Sequence, residues 1–258
     1  TENVEKLKNA KPKVSKNSAG YYLWNVWDGR TFNLPKLIVG SQGTLGMITE
    51  ITFKLVAVKP ISKLLVIFLK DLTSVAKLVN ELLPLKPESL ESYDDNTIYL
   101  ALRFWRGILK SMKIKHFFRL LWSFVPESLM VLRGGIPKLV VLAEFAGDEK
   151  KVIDEKLTQA SARMRALGLS RRVTKTPEEA EKYWTIRHES FNLLRQHVKG
   201  KRTAPFIDDI IVNPEHLPEF LPALTKILDR YKLNYTVAGH AGNGNFHIIP
   251  LMGPKELA

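Results

Sequence analysis

Two histidines, His240 and His247, flank the run Gly239-His240-Ala241-Gly242-Asn243-Gly244-Asn245-Phe246-His247. Glycine and asparagine this dense read as a tight turn, and Asn-Gly favours a hairpin. Such a turn can bring both imidazoles toward one ion, and neutral imidazole is a common ligand of divalent transition metals. Two ligands are too few, so a third would have to come from elsewhere. For an arbitrary pair, two unrelated side chains is the simpler reading. A second candidate is Arg187, in Tyr183-Trp184-Thr185-Ile186-Arg187 on an expected helix. A guanidinium fork makes two parallel hydrogen bonds to a carboxylate. A lone helical Arg is more often a surface ion-pair partner. The third candidate is the loop Gly40-Ser41-Gln42-Gly43-Thr44-Leu45-Gly46. Glycine permits positive φ and close backbone approach to a ligand. With the Ser41 and Thr44 hydroxyls it could turn N–H groups toward a phosphate. It is neither a dinucleotide fingerprint nor a P-loop, and on spacing alone a tight turn between strands is the favoured reading.

The elements that must position these groups alternate. Leu37-Ile38-Val39 and Met47 to Val58 read as strands on either side of the glycine loop, and Pro60 closes this block. Beyond it come strands at Lys63–Leu69, Leu90–Tyr93, Lys138–Phe145, Leu169–Thr174, Phe206–Val212 and Asn234–Val237, with Phe246–Ile249 after the turn. Helices are expected from an Asp71 cap to Leu83, over Asn96–Phe124, from an Asp148 cap to Leu167, over Glu178–Val198 behind Pro177, and over Pro214–Tyr231. Helices alternating with strands predict an α+β or α/β domain with helices on a sheet. The boundary falls near Pro60, giving segments 1–59 and 60–258.

The chain has 258 residues, 45% hydrophobic and 25% charged, which excludes a disordered or collagen-like polymer. No apolar run approaches the ~18 residues of a membrane span. Cysteine is absent, which excludes thiolate chemistry and disulfides. The formal charge of +13 attracts anionic partners. From Arg103 to Trp122, cations alternate with Phe and Trp and no acid occurs. A basic amphipathic helix of this kind can rest on an anionic membrane surface, although most such helices simply cover a core. A basic anion-binding module for membrane or nucleic acid is therefore the rival reading. No nucleic-acid-binding motif accompanies the charge, so no nucleic-acid partner is expected.

Lys16-Asn17-Ser18-Ala19-Gly20-Tyr21 and Leu34 to Thr49 resemble the end of the flavin domain in the FAD-linked oxidases related to vanillyl-alcohol oxidase. The likeness is strongest to the branch of D-lactate dehydrogenases, glycolate oxidase flavin subunits and D-2-hydroxyglutarate dehydrogenases. Gln42 stands where the family has an acid. The resemblance implies an α+β chain: the tail of a PCMH-type FAD-binding domain, then an FAD-linked oxidase C-terminal domain, ferredoxin-like, with helices on an antiparallel sheet. It implies FAD contacts at Asn17, Gly20, Gly40, Ser41, Gln42, Gly43, Thr44, Gly46, Ile48 and Thr49. Arg187 stands in the family's Trp-x-x-Arg, whose Arg holds the substrate carboxylate. His240 and His247 match the family's metal-binding histidines, here with Asn243 in place of Asp, and a divalent metal such as zinc is expected on them. The Glu that completes that site and the presumed base belong to a motif expected beyond Ala258. The implied activity is oxidation of a small 2-hydroxy acid by hydride transfer to flavin N5, with a quinone or cytochrome as electron acceptor. The strand Phe206–Ile210 lacks the Lys of the hydroxyglutarate branch, which argues against that substrate. Both ends read as truncated, so these residues alone are expected to be inactive. The expected location is cytoplasmic, with a peripheral membrane contact through Arg103–Trp122.

Overall fold

The computed structural model describes residues 3–17, 19–103, 131–132, 135–197, 202–203 and 207–253. The expected basic helix beyond Arg103, through Trp122, lies outside them. The chain divides into two units, Thr1–Val58 and Lys59–Ala258.

The first unit holds two short helices, α1 (Val4–Asn9) and α2 (Leu34–Ile38). The Leu37-Ile38-Val39 run is therefore not the strand its apolar residues predict. Pro35 sits in the first helical turn, and the Asn33 side chain accepts from the Lys36 N–H at 3.1 Å. That cap and the preset proline φ together favour helix over extension. Met47 to Val58 also departs from expectation, since it carries no regular secondary structure. Its Met47, Phe53, Leu55 and Val58 side chains are exposed. A strand needs a ladder partner, and none of the described residues pairs with this segment.

The second unit is one antiparallel sheet with helices on both faces. Its strands are β1 (Ile61–Leu69), β2 (Ser89–Asp94), β3 (Leu139–Gly147), β4 (Ser170–Val173), β5 (Arg202–Thr203), β6 (Ile207–Ile211), β7 (Asn234–His240) and β8 (Asn245–Met252). They run in the order β4-β1-β3-β2-β7-β8-β5, with β6 also paired to β8. The helices are α3 (Val75–Leu82), α4 (Asp95–Arg103), α5 (Lys150–Ala166), α6 (Pro177–His197) and α7 (Leu217–Arg230). Asp71 closes a turn on the Thr73 N–H at 2.8 Å and does not cap α3. Asp148 likewise does not cap α5, whose N-cap position is Glu149.

Side-chain alternation along each strand builds two cores. Leu65, Ile67, Val141, Ala143 and Phe145 pack on one face with Leu78, Leu82, Ile153, Leu157 and Leu217. Leu64, Val66, Val140, Leu142, Tyr93 and Ala238 pack on the other with Tyr183, and Ala180, Trp184, Ile186 and Ile98 lie against them. Burial on both faces explains why β1 reads as a continuous apolar run rather than an alternating one.

The corner between β2 and α4 ties the centre of the sheet to β7. Asp94, buried, accepts from the Thr97 N–H at 2.9 Å and hydroxyl at 2.8 Å, and from the Val237 N–H at 2.8 Å. Burial outweighs these hydrogen bonds and pushes its carboxyl up to about 6. Because the folded value lies above the unfolded one, the group contributes stability fully below about pH 4, and that contribution is lost as pH rises through about 6. At ~1.4 kcal/mol per pH unit of displacement, the whole change is about 3 kcal/mol. Asp94→Asn cannot ionise. Denaturant titrations across this range should show the stability difference moving by about 3 kcal/mol in favour of the variant as pH rises. A difference independent of pH would show that Asp94 titrates normally.

Candidate functional site

Helix α6 begins on a firm cap. The Thr176 hydroxyl accepts from the Glu179 N–H at 3.2 Å. The Glu179 carboxylate accepts from the Lys175 N–H at 2.7 Å and pairs with Arg172. Pro177 occupies the first helical position, where its missing N–H costs nothing. The helix lays Ala180, Tyr183, Trp184 and Ile186 against the second core. Arg187 follows Tyr183 by four residues and so shares its side of the helix. Trp184 stacks on His188, with ring centroids 5.8 Å apart.

Arg187 meets the sheet at a residue the sequence reading did not single out. Its Nη2 lies 3.4 Å from Glu91 Oε2, both side chains being largely buried, at 17% and 13% exposed. The other oxygen, Glu91 Oε1, is 2.5 Å from His240 Nδ1. The register explains this meeting. Ser92 lies opposite Gly239 and Tyr93 opposite Ala238, which places Glu91 beside His240 on the α6 face. The row continues into β8, where His240 pairs with Asn245 and Ala238 with His247.

The hairpin between β7 and β8 forms as the Asn and Gly content predicts. A 3-10 turn at Ala241–Asn243 ends in Gly244, with φ +66°. The turn brings the two imidazoles edge to face, with centroids 5.7 Å apart. His247 Nδ1 lies 3.5 Å from Asp209 Oδ1. Asp209 sits at an irregularity of β6 between Ile207 and Ile210, with φ +56°. Asn245 Nδ2 donates to both Asp209 Oδ1 and the Ile210 carbonyl, each at 3.3 Å. Each histidine thus faces a carboxylate through Nδ1. Among the described residues no group of three His, Asp or Glu is gathered as a metal ion needs. The expected zinc on His240 and His247 finds no support here. The third protein ligand that such a site requires is not gathered beside the two rings among the described residues.

Within the first unit, the glycine loop forms an open turn. Gly40, Gly43 and Gly46 have φ of +82°, +78° and +157°, and Gln42 has +52°. No heavy atom lies within 4 Å of where a Cβ would stand on any of the three glycines. Thr44 Oγ1 bonds the Tyr21 hydroxyl at 2.9 Å and the Ser41 carbonyl at 2.6 Å, joining the two segments that the resemblance rests on. Of the loop N–H groups, those of Ser41 and Thr44 donate to the Ile38 and Ser41 carbonyls at 3.0 Å each. The loop therefore suits a flat ligand lying along bare backbone better than an anion held by those two amides. Asn17 Oδ1 accepts from the Ala19 N–H at 3.0 Å, and Gly20 has φ +69°. Ile48 and Thr49 are exposed.

Glu91 and Asp209 were legible only in part. Glu91 lies between Leu90 and Ser92 in a short strand that ends in a second acid, Asp94, and Asp209 is half of an acid pair in another. A charge within a strand was the available signal.

The chain is similar to proteins of known activity. A D-2-hydroxyglutarate dehydrogenase of Pantoea ananatis is 25% identical over 93% of this chain and 23% of its own length. The mitochondrial cytochrome-linked D-lactate dehydrogenase of Arabidopsis thaliana is 26% identical over 87% of this chain and 35% of its own length. This chain thus spans well under half of either relative. The structure of an alkyldihydroxyacetonephosphate synthase superposes with a TM-score of 0.64 at 17% identity, covering 90% of this chain and 42% of that one. That likeness is one of fold, in which helices lie on a mixed-order antiparallel sheet. Residues 59–258 match the family described as FAD linked oxidases, C-terminal domain, and the chain belongs to that family.

Proposed function

We propose that the protein takes part in FAD-dependent oxidation of a small 2-hydroxy acid, with the second unit as its substrate-binding part. The observation that carries this reading is the part-buried row of Arg187, Glu91 and His240 on one face of the sheet of an FAD-linked oxidase C-terminal domain. The names of the similar dehydrogenases support the same substrate class.

In this reading Arg187 binds the substrate carboxylate through N–H groups not turned to Glu91. A guanidinium can serve two carboxylates because its five donors point along different edges. His240 accepts a hydrogen bond from the substrate hydroxyl at Nε2 and so orients the α-carbon. The apolar residues around Trp184 and Ile186 limit water at the site, which strengthens both contacts. Bound FAD would supply the hydride acceptor. The residues that would hold it are Asn17, Gly20, Gly40, Ser41, Gln42, Gly43, Thr44, Gly46, Ile48 and Thr49, of which the three open loop glycines fit the task best. The first unit is then the tail of the flavin domain. A quinone or cytochrome acceptor and a cytoplasmic setting fit this reading.

Anaerobic mixing of the full-length, flavin-loaded protein with D-lactate, glycolate and D-2-hydroxyglutarate tests it. At least one should bleach the flavin absorbance, and bleaching by none of them would end the hydroxy-acid reading. Gly43→Val tests the cofactor loop. A β-branched residue is strained at φ +78°, and its side chain would hold the backbone away from a flat ligand. Flavin retention after gel filtration should fall at least ~10-fold, equivalent to ~1.4 kcal/mol. Full retention in a folded variant would remove the loop from the cofactor site.

A further inference from the structure

We propose that Glu91 is the positioning residue of this site. One carboxylate fixes His240 with its ring proton on Nδ1 and holds the Arg187 guanidinium, presetting both groups for the two ends of a substrate. The proposal rests on the hydroxy-acid reading for the substrate, though not for the geometry. A carboxylate held by a guanidinium has no proton to give and can only accept. At 2.5 Å from Glu91 Oε1, His240 Nδ1 must therefore be the donor. A neutral imidazole carries a single N–H, so Nε2 is left as the acceptor.

The placement of Glu91 suits this double task. It projects from a central strand of the sheet, where its own pairing with Leu142 of β3 and the pairing of the adjacent Ser92 with Gly239 of β7 fix its Cα. It is largely buried at 13% exposure, so its charge is poorly screened by solvent and its rotamer is confined by packing. Arg187 reaches it from a helix and His240 from a neighbouring strand, so one side chain sets the relation of two elements. Arg and Glu carry large rotamer entropies, and binding is tighter when these are lost on folding rather than on meeting the ligand.

The test begins with the unmodified protein. Long-range proton–nitrogen NMR spectra of its histidine rings, with His240 assigned from a His240→Asn variant, should show the proton of the neutral ring on Nδ1. A proton on Nε2 overturns the proposal. In Glu91→Gln the side-chain amide can donate as well as accept, so His240 should become a mixture of tautomers. The kcat of the flavin-loaded protein with its best hydroxy acid should fall about 10–100-fold, with flavin content unchanged. A pure Nδ1–H tautomer surviving in Glu91→Gln also overturns it. Should that variant fail to fold, the spectra of the unmodified protein still decide. The two readings fail separately. An Nε2–H His240 in a protein that oxidises hydroxy acids removes Glu91 alone. An Nδ1–H His240 in a protein that bleaches with no hydroxy acid removes the substrate reading and leaves the role of Glu91 in the geometry standing.

Discussion

Gly244→Ala should destabilise the second unit by more than ~4 kcal/mol, at the extreme end of single substitutions. A Cβ on Gly244 would stand 1.8 Å from the Val212 carbonyl oxygen and 3.0 Å from its carbon. Neither atom can step aside cheaply. The Val212 N–H donates to the Gly244 carbonyl at 3.0 Å, so separating the two residues breaks the clamp that joins the end of β6 to the histidine hairpin. The positive φ adds its own strain, about 1 kcal/mol or more for a residue with a Cβ. Gly168→Ala isolates that second effect, because Gly168 has φ +71° and open space around it. It should cost only ~1 kcal/mol. For a unit of this size, thermal denaturation should place Gly244→Ala more than about 10 °C below the parent and Gly168→Ala within a few degrees of it. Equal melting temperatures for the two variants would show that the hairpin moves off Val212 freely.

Arg187→Lys should lower kcat/KM for the hydroxy-acid substrate by roughly 10–100-fold, corresponding to loss of ~1.5–3 kcal/mol of charged hydrogen bonding. Lysine keeps a cation near Glu91, so the buried carboxylate is not stranded. What lysine loses is the planar fork, whose several N–H groups can meet Glu91 and a substrate carboxylate at once. Arg187→Ala removes the cation that Glu91 and the substrate carboxylate share, and its loss should approach 1000-fold. Flavin content should stay at the parent level in both, because the cofactor residues proposed lie in the other unit. Steady-state rates and flavin absorbance measured on the same preparations check this. Unchanged kcat/KM in Arg187→Lys, or flavin loss matching the loss of rate, would take Arg187 out of the substrate site.

Much of the second unit could be read from its residues. The apolar runs at Leu64–Leu69 and Leu139–Ala143 are the central strands because burial on both faces removes any need for polar alternation. Pro177 marks the start of α6, and Gly168, at φ +71°, follows the end of α5. The first unit was less legible. Leu37-Ile38-Val39 is apolar enough for a strand, but Asn33 and Pro35 decide in favour of helix through local capping that a hydrophobic pattern does not register. Met47–Val58 has strand-like residues without a ladder, because β propensity expresses fit to neighbours rather than a backbone preference. At the site, Arg187 and the two histidines were singled out by the family resemblance, since their chemistry alone favours plainer readings. Glu91 was not, because its importance comes from register. Only when Ser92 is known to face Gly239 does Glu91 become a neighbour of His240.

The pairing of β2 with β7 also bears on how the molecule reaches its native state. Glu91 and His240 are 149 residues apart in the chain, and their strands join one sheet half, β4-β1-β3-β2, to the other, β7-β8-β5. The hairpin β7–β8 closes over a few residues, whereas the β2–β7 seam closes only after most of the intervening chain has been gathered. Closure of so long a loop brings an entropic delay, and long-range strand pairings of this kind slow folding. The two halves can therefore be ordered while the seam is still open, with Arg187 and His240 not yet sharing a carboxylate. Formation of the Glu91–His240 hydrogen bond then reports completion of the whole sheet, and refolding monitored at that imidazole should trail refolding monitored at the hairpin.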